Sequence, residues 1–397
     1  MSGKLEPGQL QDPALRPIAE KVLAGRRLAA ADAAVLYATH DLLGLGVMAD
    51  FANRRRNGDR VFFSANQHIN PTNVCILRNT CTFCSFARMP KEEGAYTRSL
   101  EEVFAEAAQA AAAPTREFHI VGGLHPKLRL EYYTAMLRGL RERHPGVHIK
   151  ALTAVEIAHL ARIEKVTERE VLIALREAGL TSLPGGGAEV FSTAVRATIA
   201  ERKLTGAEWL RVHRVAHELG IPTNCTMLYG HVETITDRVE HLQMLRDLQD
   251  ETHGFLTYIP LAYHPEHNEL GEELGRVGTA TTGFEDLKAI AVGRLFLDSI
   301  PHIKTHWPMV TPFMSQVALA FGCDDVEGTV VYERIYHDAG AVTERQMPYL
   351  GLVDLIRGAG KRPVERNSLY EPVRETFDDV TPPHEPGRRS LPVVHAA

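Results

Sequence analysis

The chain has 397 residues, 44% hydrophobic and 24% charged, with a formal net charge of −6. That is the composition of a soluble globular protein with room for one large α/β domain or two ordinary ones, and its mild acidity argues against nucleic-acid binding, which brings a basic excess. The opening MSGKLEPGQLQDP is polar and breaks early at proline, and no apolar run reaches the roughly 18 residues of a bilayer span, so a cytoplasmic protein without membrane insertion is expected.

Residues 10–57 read as helices, rich in alanine and leucine with recurring apolar positions. From residue 60 the pattern changes to short strand-like runs alternating with helices. The runs are VFFSANQHI (61–69), EFHIVGG (117–123), VHIKALT (147–153), TSLPGG (181–186), PTNCTMLYG (222–230), FLTYIPLA (255–262) and HIKTHW (302–307). Between them, YYTAMLRGLRERHPG stops at Pro145-Gly146, TEREVLIALREAG ends at Gly179, and TDRVEHLQMLRDLQ opens on a Thr/Asp cap. Regular strand–helix alternation implies a parallel sheet, and about seven units fit a (β/α) barrel, complete or partly open. The expected organisation is an N-terminal helical segment (1–57), the barrel core (58–310), a C-terminal extension packing on it (311–370) and a proline- and charge-rich flexible tail (371–397).

In such barrels the chemistry sits at the C-terminal ends of the strands. The first six runs are each followed by a polar or glycine-rich segment: the cysteine loop, GGLHP, TAVE, PGGGAE, YGHVET and YHPEHN. The first stands out. Cys75, Cys81 and Cys84, three of five cysteines, fall within ten positions. In a reducing compartment such a cluster points to metal ligands or catalytic groups before disulfides. Three thiolates can hold an iron–sulfur cluster and leave one iron without a protein ligand. Zinc is the rival, with His68 or His125 as a fourth ligand. Phe83, next to Cys84, can offer a ring face to a purine, and Gly122 and Gly123 let backbone approach a ligand, although turns also use glycine. Cys225, inside a strand run, and Cys323, after an apolar helix, read as small buried hydrophobes.

The cluster loop, the aromatic before its third cysteine and the glycine pair after the second strand resemble the radical S-adenosylmethionine (SAM) superfamily. HINPTNVC, CTFCSFAR, FHIVGGLHP, IKALTAVEI, AGLTSLPGGGAEVF, GIPTNCTMLYGHVET, LAYHPEHN, DSIPHIKTHW and FGCDDVEGTV resemble, within it, the aminofutalosine synthase family of the futalosine route to menaquinone, over roughly residues 35–370. SLPGGGAE and the cluster loop are shared with two sister families, the dehypoxanthine futalosine cyclase and the tyrosine-using deazaflavin synthase component, whose activities are the alternative reading of this chain. One departure is plain: the superfamily's usual loop has three residues between the first two cysteines, and ILRNT makes five. Closure entropy grows slowly with loop length, so an outward bulge still leaves Cys75 as a ligand.

The resemblance implies a radical SAM transferase with a 4Fe–4S cluster on Cys75, Cys81 and Cys84, and SAM consumed as a substrate. The 5′-deoxyadenosyl radical would add to the enol ether of 3-[(1-carboxyvinyl)oxy]benzoate and, with decarboxylation, give 6-amino-6-deoxyfutalosine. A flavodoxin or ferredoxin would supply the electron. Glu156, Glu189, Asn224 and Thr226 become candidates to hold SAM, the last two against the alternative of a hydrogen-bonded core pair. The two substrate carboxylates call for donors at strand ends: Arg88, His125, Lys150, Lys304 and His264, with Tyr229 at the rim and His264 also a catalytic candidate. Asp324 and Asp325 read as structural. A zinc-dependent barrel hydrolase remains the reading from another class, although no H-x-H or H-E-x-x-H spacing is present.

Overall fold

A computed structural model describes residues 5–109, 115–276 and 281–377. Its strands are β1 (Arg60–Phe63), β2 (Asn66–Ile69), β3 (Glu117–Ile120), β4 (His148–Ala151), β5 (Thr223–Tyr229), β6 (Phe255–Ala262), β7 (His302–Thr305), β8 (Asp325–Val326), β9 (Arg362–Arg366) and β10 (Pro372–Arg374). β2, β3 and β4 pair in parallel. Single parallel bridges, Lys150 to Ser182 and Leu183 to Thr223, carry the pairing on to β5. β5, β6, β7 and β8 follow in parallel, β8 meets β1 at Phe62–Asp325, and a parallel bridge from Val331 returns to Gln67 beside β2. The barrel therefore closes on itself, and the expected architecture is complete.

Three details differ from the sequence expectation. The run 61–69 is two strands, because its outer edge serves two partners: β1 pairs with β9, and β2 pairs with β3. The run TSLPGG survives only as the two bridges. Pro184 cannot donate to a ladder, and the glycines behind it weaken a strand. The extension does not stop at 370: β10 pairs antiparallel with β9, and Phe377 is buried against Phe63 and Tyr349. One aromatic anchor outweighs the polar composition around it, so the expected flexible tail is a correction as far as Phe377. Residues 378–397 lie outside those described.

The outer helices start on reciprocal caps. Thr153/Glu156, Thr167/Glu170, Thr205/Glu208, Thr234/Asp237 and Thr282/Glu285 each pair a side-chain oxygen with the other residue's backbone N–H. Such caps fix where the chain leaves each strand end, which is where the site is built. The N-terminal helices Ala30–Ala38 and Leu42–Asn57 pack on the helices Ile235–Thr252 and Gly283–Phe296, closing the outside of the barrel.

Inside, the barrel is polar. Side chains at alternate strand positions form ion pairs where many barrels stack aliphatics. Lys150 Nζ stands 2.5 Å from Glu117, Lys304 Nζ lies 3.2 Å from Glu327 and 3.7 Å from Asp325, and Arg366 donates to Asp325 at 2.7 Å. Arg294 pairs with Asp324, which also accepts from Asn57 and faces His302 at 2.6 Å, so the acidic pair is structural.

Between barrel and helices lie histidines with lowered pKa values. Burial is the largest cause at His213, held well below its ordinary value, at His217, brought down to about 4, and at His241, down to about 3. Their partners suit neutral rings: His241 Nε2 meets Thr226 O at 2.8 Å, and His213 Nδ1 meets Thr223 Oγ1 at 2.8 Å. A ring whose folded pKa lies below its unfolded value binds fewer protons folded than unfolded. Stability is therefore intact above about pH 6.5 and falls towards pH 4, with a limiting slope of about 1.4 kcal/mol per pH unit for each ring. We expect chemical denaturation in steps from pH 7 to 4.5 to show a steep loss, with His241→Gln shallower by about one proton. A flat profile down to pH 5 would rule this out.

Candidate active site

Beyond β2 the chain enters the cysteine loop. Cys75 N–H donates to Arg88 O at 2.9 Å and Ile76 N–H to Leu124 O at 3.1 Å. ILRNT then folds into one helical turn, with the N–H groups of Thr80 and Cys81 donating to Leu77 O at 2.9 and 3.0 Å. Leu77 points inward and is 7% exposed, while Ile76 is 40% exposed. The longer spacing is thus absorbed by a compact turn with a buried anchor, in place of the expected outward bulge. Cys84 N–H closes back on Cys81 O at 3.1 Å, and Thr82 N–H reaches Ile199 O at 3.0 Å.

All three thiols line one cavity of about 290 Å³ at the C-terminal ends of the barrel strands. Phe83, Gly122, Gly123, Glu156, Glu189, Asn224, Thr226 and His264 line it too. Several of these are already engaged. Glu156 accepts from Gly122 N at 3.1 Å and from Thr153 N and Oγ1 at 2.7 and 2.8 Å, and burial lifts its carboxyl to about 7. It joins the glycine turn to the helix cap as a positioning group. Thr226 Oγ1 donates to Gly185 O at 2.7 Å, the core alternative. Glu189, at a left-handed φ of 46°, pairs with Lys203, whose Nζ also stands 5.3 Å above the Phe83 ring. Burial would raise the Glu189 pKa, but Lys203 outweighs it and holds the carboxyl ionised.

The proposed carboxylate receivers mostly stand elsewhere. Arg88 donates to the carbonyls of Ser85 and Ala87 at 2.7 and 2.9 Å, strapping the cysteine loop. His125 Nδ1 accepts from the N–H groups of Lys127 and Leu128 at 3.1 and 3.0 Å. Tyr229 OH donates to Asp286 at 2.6 Å. None of these three lines the cavity, and each is satisfied by its own neighbourhood. Lys150 and Lys304 are spent on the ion pairs below the cavity floor. His264 does line it, with Nε2 held 3.0 Å from Met309 O. That bond makes Nδ1 of the neutral ring an acceptor, which suits a hydroxyl and opposes a carboxylate. Lining residues absent from the expected site are His119, His306, Lys203, Glu327, Glu333 and Tyr336, together with His68, weighed only as a zinc ligand.

The thiols fit a cuboidal cluster better than a zinc ion. Among the described residues no three His, Cys, Asp or Glu side chains are grouped to hold a single ion, whereas three thiolates are the donor set for three of the four irons of a cuboidal cluster. Cys225 and Cys323 are buried and donate to Thr257 O and Ile303 O, away from the cavity. Burial pushes the Cys81 thiol up to about 12 and raises that of Cys75, which makes them poor free nucleophiles.

Gly122 and Gly123 serve the cysteine loop itself. A Cβ on Gly123 would stand 2.3 Å from Val74 O and 2.7 Å from Val74 C, in the backbone leading to Cys75. Gly123→Ala should therefore displace that segment, at a cost of about 1–3 kcal/mol, and lower the iron bound per chain after anaerobic reconstitution. Full iron loading in that variant would show that the loop yields freely.

Comparison with known proteins agrees with this geometry. Residues 69–245 match the model of the Radical SAM superfamily and residues 252–379 that of the CofH/MqnC C-terminal region. An aminodeoxyfutalosine synthase of Thermus thermophilus is 47% identical over 92% of this chain and 97% of its own. One of Streptomyces coelicolor is 44% identical, over 91% and 94%. A cyclic dehypoxanthine futalosine synthase of Streptomyces coelicolor stands further off, at 36% over 90% and 88%. Among solved structures, methylornithine synthase superposes with a TM-score of 0.70 at 18% identity, covering 87% of this chain and 97% of that one, a likeness of fold.

Proposed function

We infer that this chain, which belongs to the radical SAM superfamily and within it to the aminodeoxyfutalosine synthase family, makes 6-amino-6-deoxyfutalosine from SAM and 3-[(1-carboxyvinyl)oxy]benzoate in menaquinone biosynthesis. The observation that carries the reading is the placement of Cys75, Cys81 and Cys84 on the wall of one cavity at the barrel mouth, in a chain so close to those synthases.

Cys75, Cys81 and Cys84 are the residues to hold a 4Fe–4S cluster, leaving one iron for SAM. When bound, the cluster would supply the electron for reductive cleavage of SAM, the chemistry that makes the 5′-deoxyadenosyl group available for transfer to the enol ether. The chain's own part is placement and exclusion of water. Phe83 offers a ring face for the adenine. Lys203, paired with Glu189, and the Asn224 side chain offer charge and hydrogen bonds to the polar groups of SAM. Glu156 holds the Gly122 N–H and keeps the glycine turn against the loop. Leu77, Leu124, Val155, Leu228, Ile259 and Leu261 make much of the remaining wall apolar. The electron comes from a small redox protein, a flavodoxin or ferredoxin, and the reaction runs in the cytoplasm. Among the described residues no helix is long and apolar enough to cross a membrane.

Anaerobic turnover tests the reading. Reconstituted protein given a reductant, SAM and 3-[(1-carboxyvinyl)oxy]benzoate should yield, by mass, the adenosyl group joined to the substrate less its lost carboxyl. Free 5′-deoxyadenosine alone would point to another substrate, first that of the sister cyclase. Iron-loaded protein that leaves SAM intact would overturn it.

A further inference from the structure

The cavity has two chemically different walls. One carries the thiols, Phe83 and the Lys203–Glu189 pair. The other is built from histidines: His68 at the end of β2, His119 on β3 and His306 immediately after β7. The His68 and His119 rings stack with centroids 4.6 Å apart, and Tyr336 meets His306 edge-on at 4.8 Å. His68 and His306 are each only 6% exposed, yet His68 Nε2 and His306 Nδ1 have no hydrogen-bond partner. A buried polar atom left unmet costs about 1–3 kcal/mol, so in a cavity wall it favours a ligand or a water that meets it.

The groups around these rings are otherwise satisfied. Glu327 accepts from Asn66 Nδ2 at 2.8 Å and from Lys304 Nζ at 3.2 Å, and His306 Nε2 stands 3.9 Å from it. Glu333 is taken by His337 and by the Tyr336 N–H at 2.9 Å. Lys203 is the one cation lining the cavity among the described residues, and Glu189 neutralises it. Among the described lining residues a substrate with two carboxylates therefore meets no free ammonium or guanidinium, and the unmet imidazole nitrogens are the donors that can become charged.

We propose that His68 and His306 receive a carboxylate of the aromatic enol-ether substrate, one ring taking up a proton as the carboxylate arrives, with His119 stacked on His68 to set its plane. The proposal rests on the function inferred above. Burial, the largest cause, lowers the pKa of both rings. Glu327 and Glu333 favour the imidazolium of each, Glu117 also that of His68. Lys150 opposes it at His68, and Lys304 and His68 oppose it at His306. His119 faces His68 as a neutral ring, its own pKa driven down by burial. A carboxylate within hydrogen-bond reach tips this balance, because a charge-assisted bond is about twice as strong as a neutral one.

The test uses the reconstituted holoenzyme. Wild-type product formation is measured first, since its failure would remove the proposed function itself. With turnover in hand, His68→Gln and His306→Gln should each raise KM for the substrate at least about tenfold, the loss of one good charge-assisted contact, while KM for SAM and iron content stay at the wild-type values. An analogue lacking the ring carboxylate reports which carboxylate is held: if it is the ring's, the variants and wild type bind the analogue alike; if it is the other, the variants lose as much as with the full substrate. Calorimetry of substrate binding to wild-type holoenzyme at pH 7.5, in buffers of different ionisation enthalpy, should show uptake of about one proton. Unchanged KM in both variants, or binding without proton uptake, would overturn the proposal.

Discussion

A Cys75→Ala chain, reconstituted anaerobically with iron and sulfide, is expected to lose SAM cleavage to background. Cys75 is the thiol whose ligand role the sequence leaves most open, because five residues separate it from Cys81. The structure answers with the turn at Leu77–Cys81. The turn consumes the added length and leaves Cys75 on the same wall as Cys81 and Cys84. With only two thiolates the cluster would lack a protein ligand on a second iron. Cys225→Ala is the control. That thiol is buried against Thr257 O, away from the cavity, and its loss should lower stability while leaving SAM cleavage in place. Iron content, the visible absorption of the cluster and 5′-deoxyadenosine release are the readouts. Full cleavage by Cys75→Ala would remove Cys75 from the ligand set.

Lys150→Met is expected to be the most destabilising single change outside the cluster loop, by about 3–5 kcal/mol, the usual cost of breaking a buried ion pair from one side. Burial alone would raise the Glu117 pKa, but Lys150, Arg366 and Lys304 outweigh it and hold the carboxyl well below the ordinary range. Removing Lys150 leaves Glu117, 1% exposed, with its nearest cation gone. The pair is a liability only when half of it is missing. The double variant Lys150→Met/Glu117→Gln should therefore recover much of the loss. Guanidinium unfolding of wild type, both single variants and the double variant measures the coupling. A cost below about 1 kcal/mol for Lys150→Met would mean that Arg366 and Lys304 alone suffice for Glu117.

Much of the site was readable, and the misses share a cause. The thiols, Phe83 and the glycine pair lie close together in the chain, so local spacing reveals them. The carboxylate receivers were sought among the strongest cations, yet Arg88, Lys150 and Lys304 are already matched with acceptors that lie far off in sequence or in their own loop. His125 and Tyr229 likewise complete local hydrogen bonds. The histidine wall did leave a signal. Asn66/His68, Glu117/His119, Lys304/His306 and Asp325/Glu327 are polar pairs two residues apart, the same alternation that placed Asn224 and Thr226 on one face. Read on every strand, it marks a polar barrel interior.

Strand–helix alternation and the location of chemistry after each strand are local properties of the chain. They follow from side-chain periodicity and turn residues, and the amino-acid order alone carried them, with the cluster loop and the family. Closure of the barrel was decided elsewhere. It depends on single bridges through Ser182, Leu183 and Val331, residues with little strand character that pair only because their neighbours hold them in place. The free or engaged state of each polar side chain was likewise settled by folding. A charge is neutralised by whatever the fold brings within a few ångströms, and for Lys150, Lys304 and Arg366 those partners come from other strands. His68 Nε2 and His306 Nδ1 are left unmet because no hydrogen-bond partner from another strand reaches those two atoms.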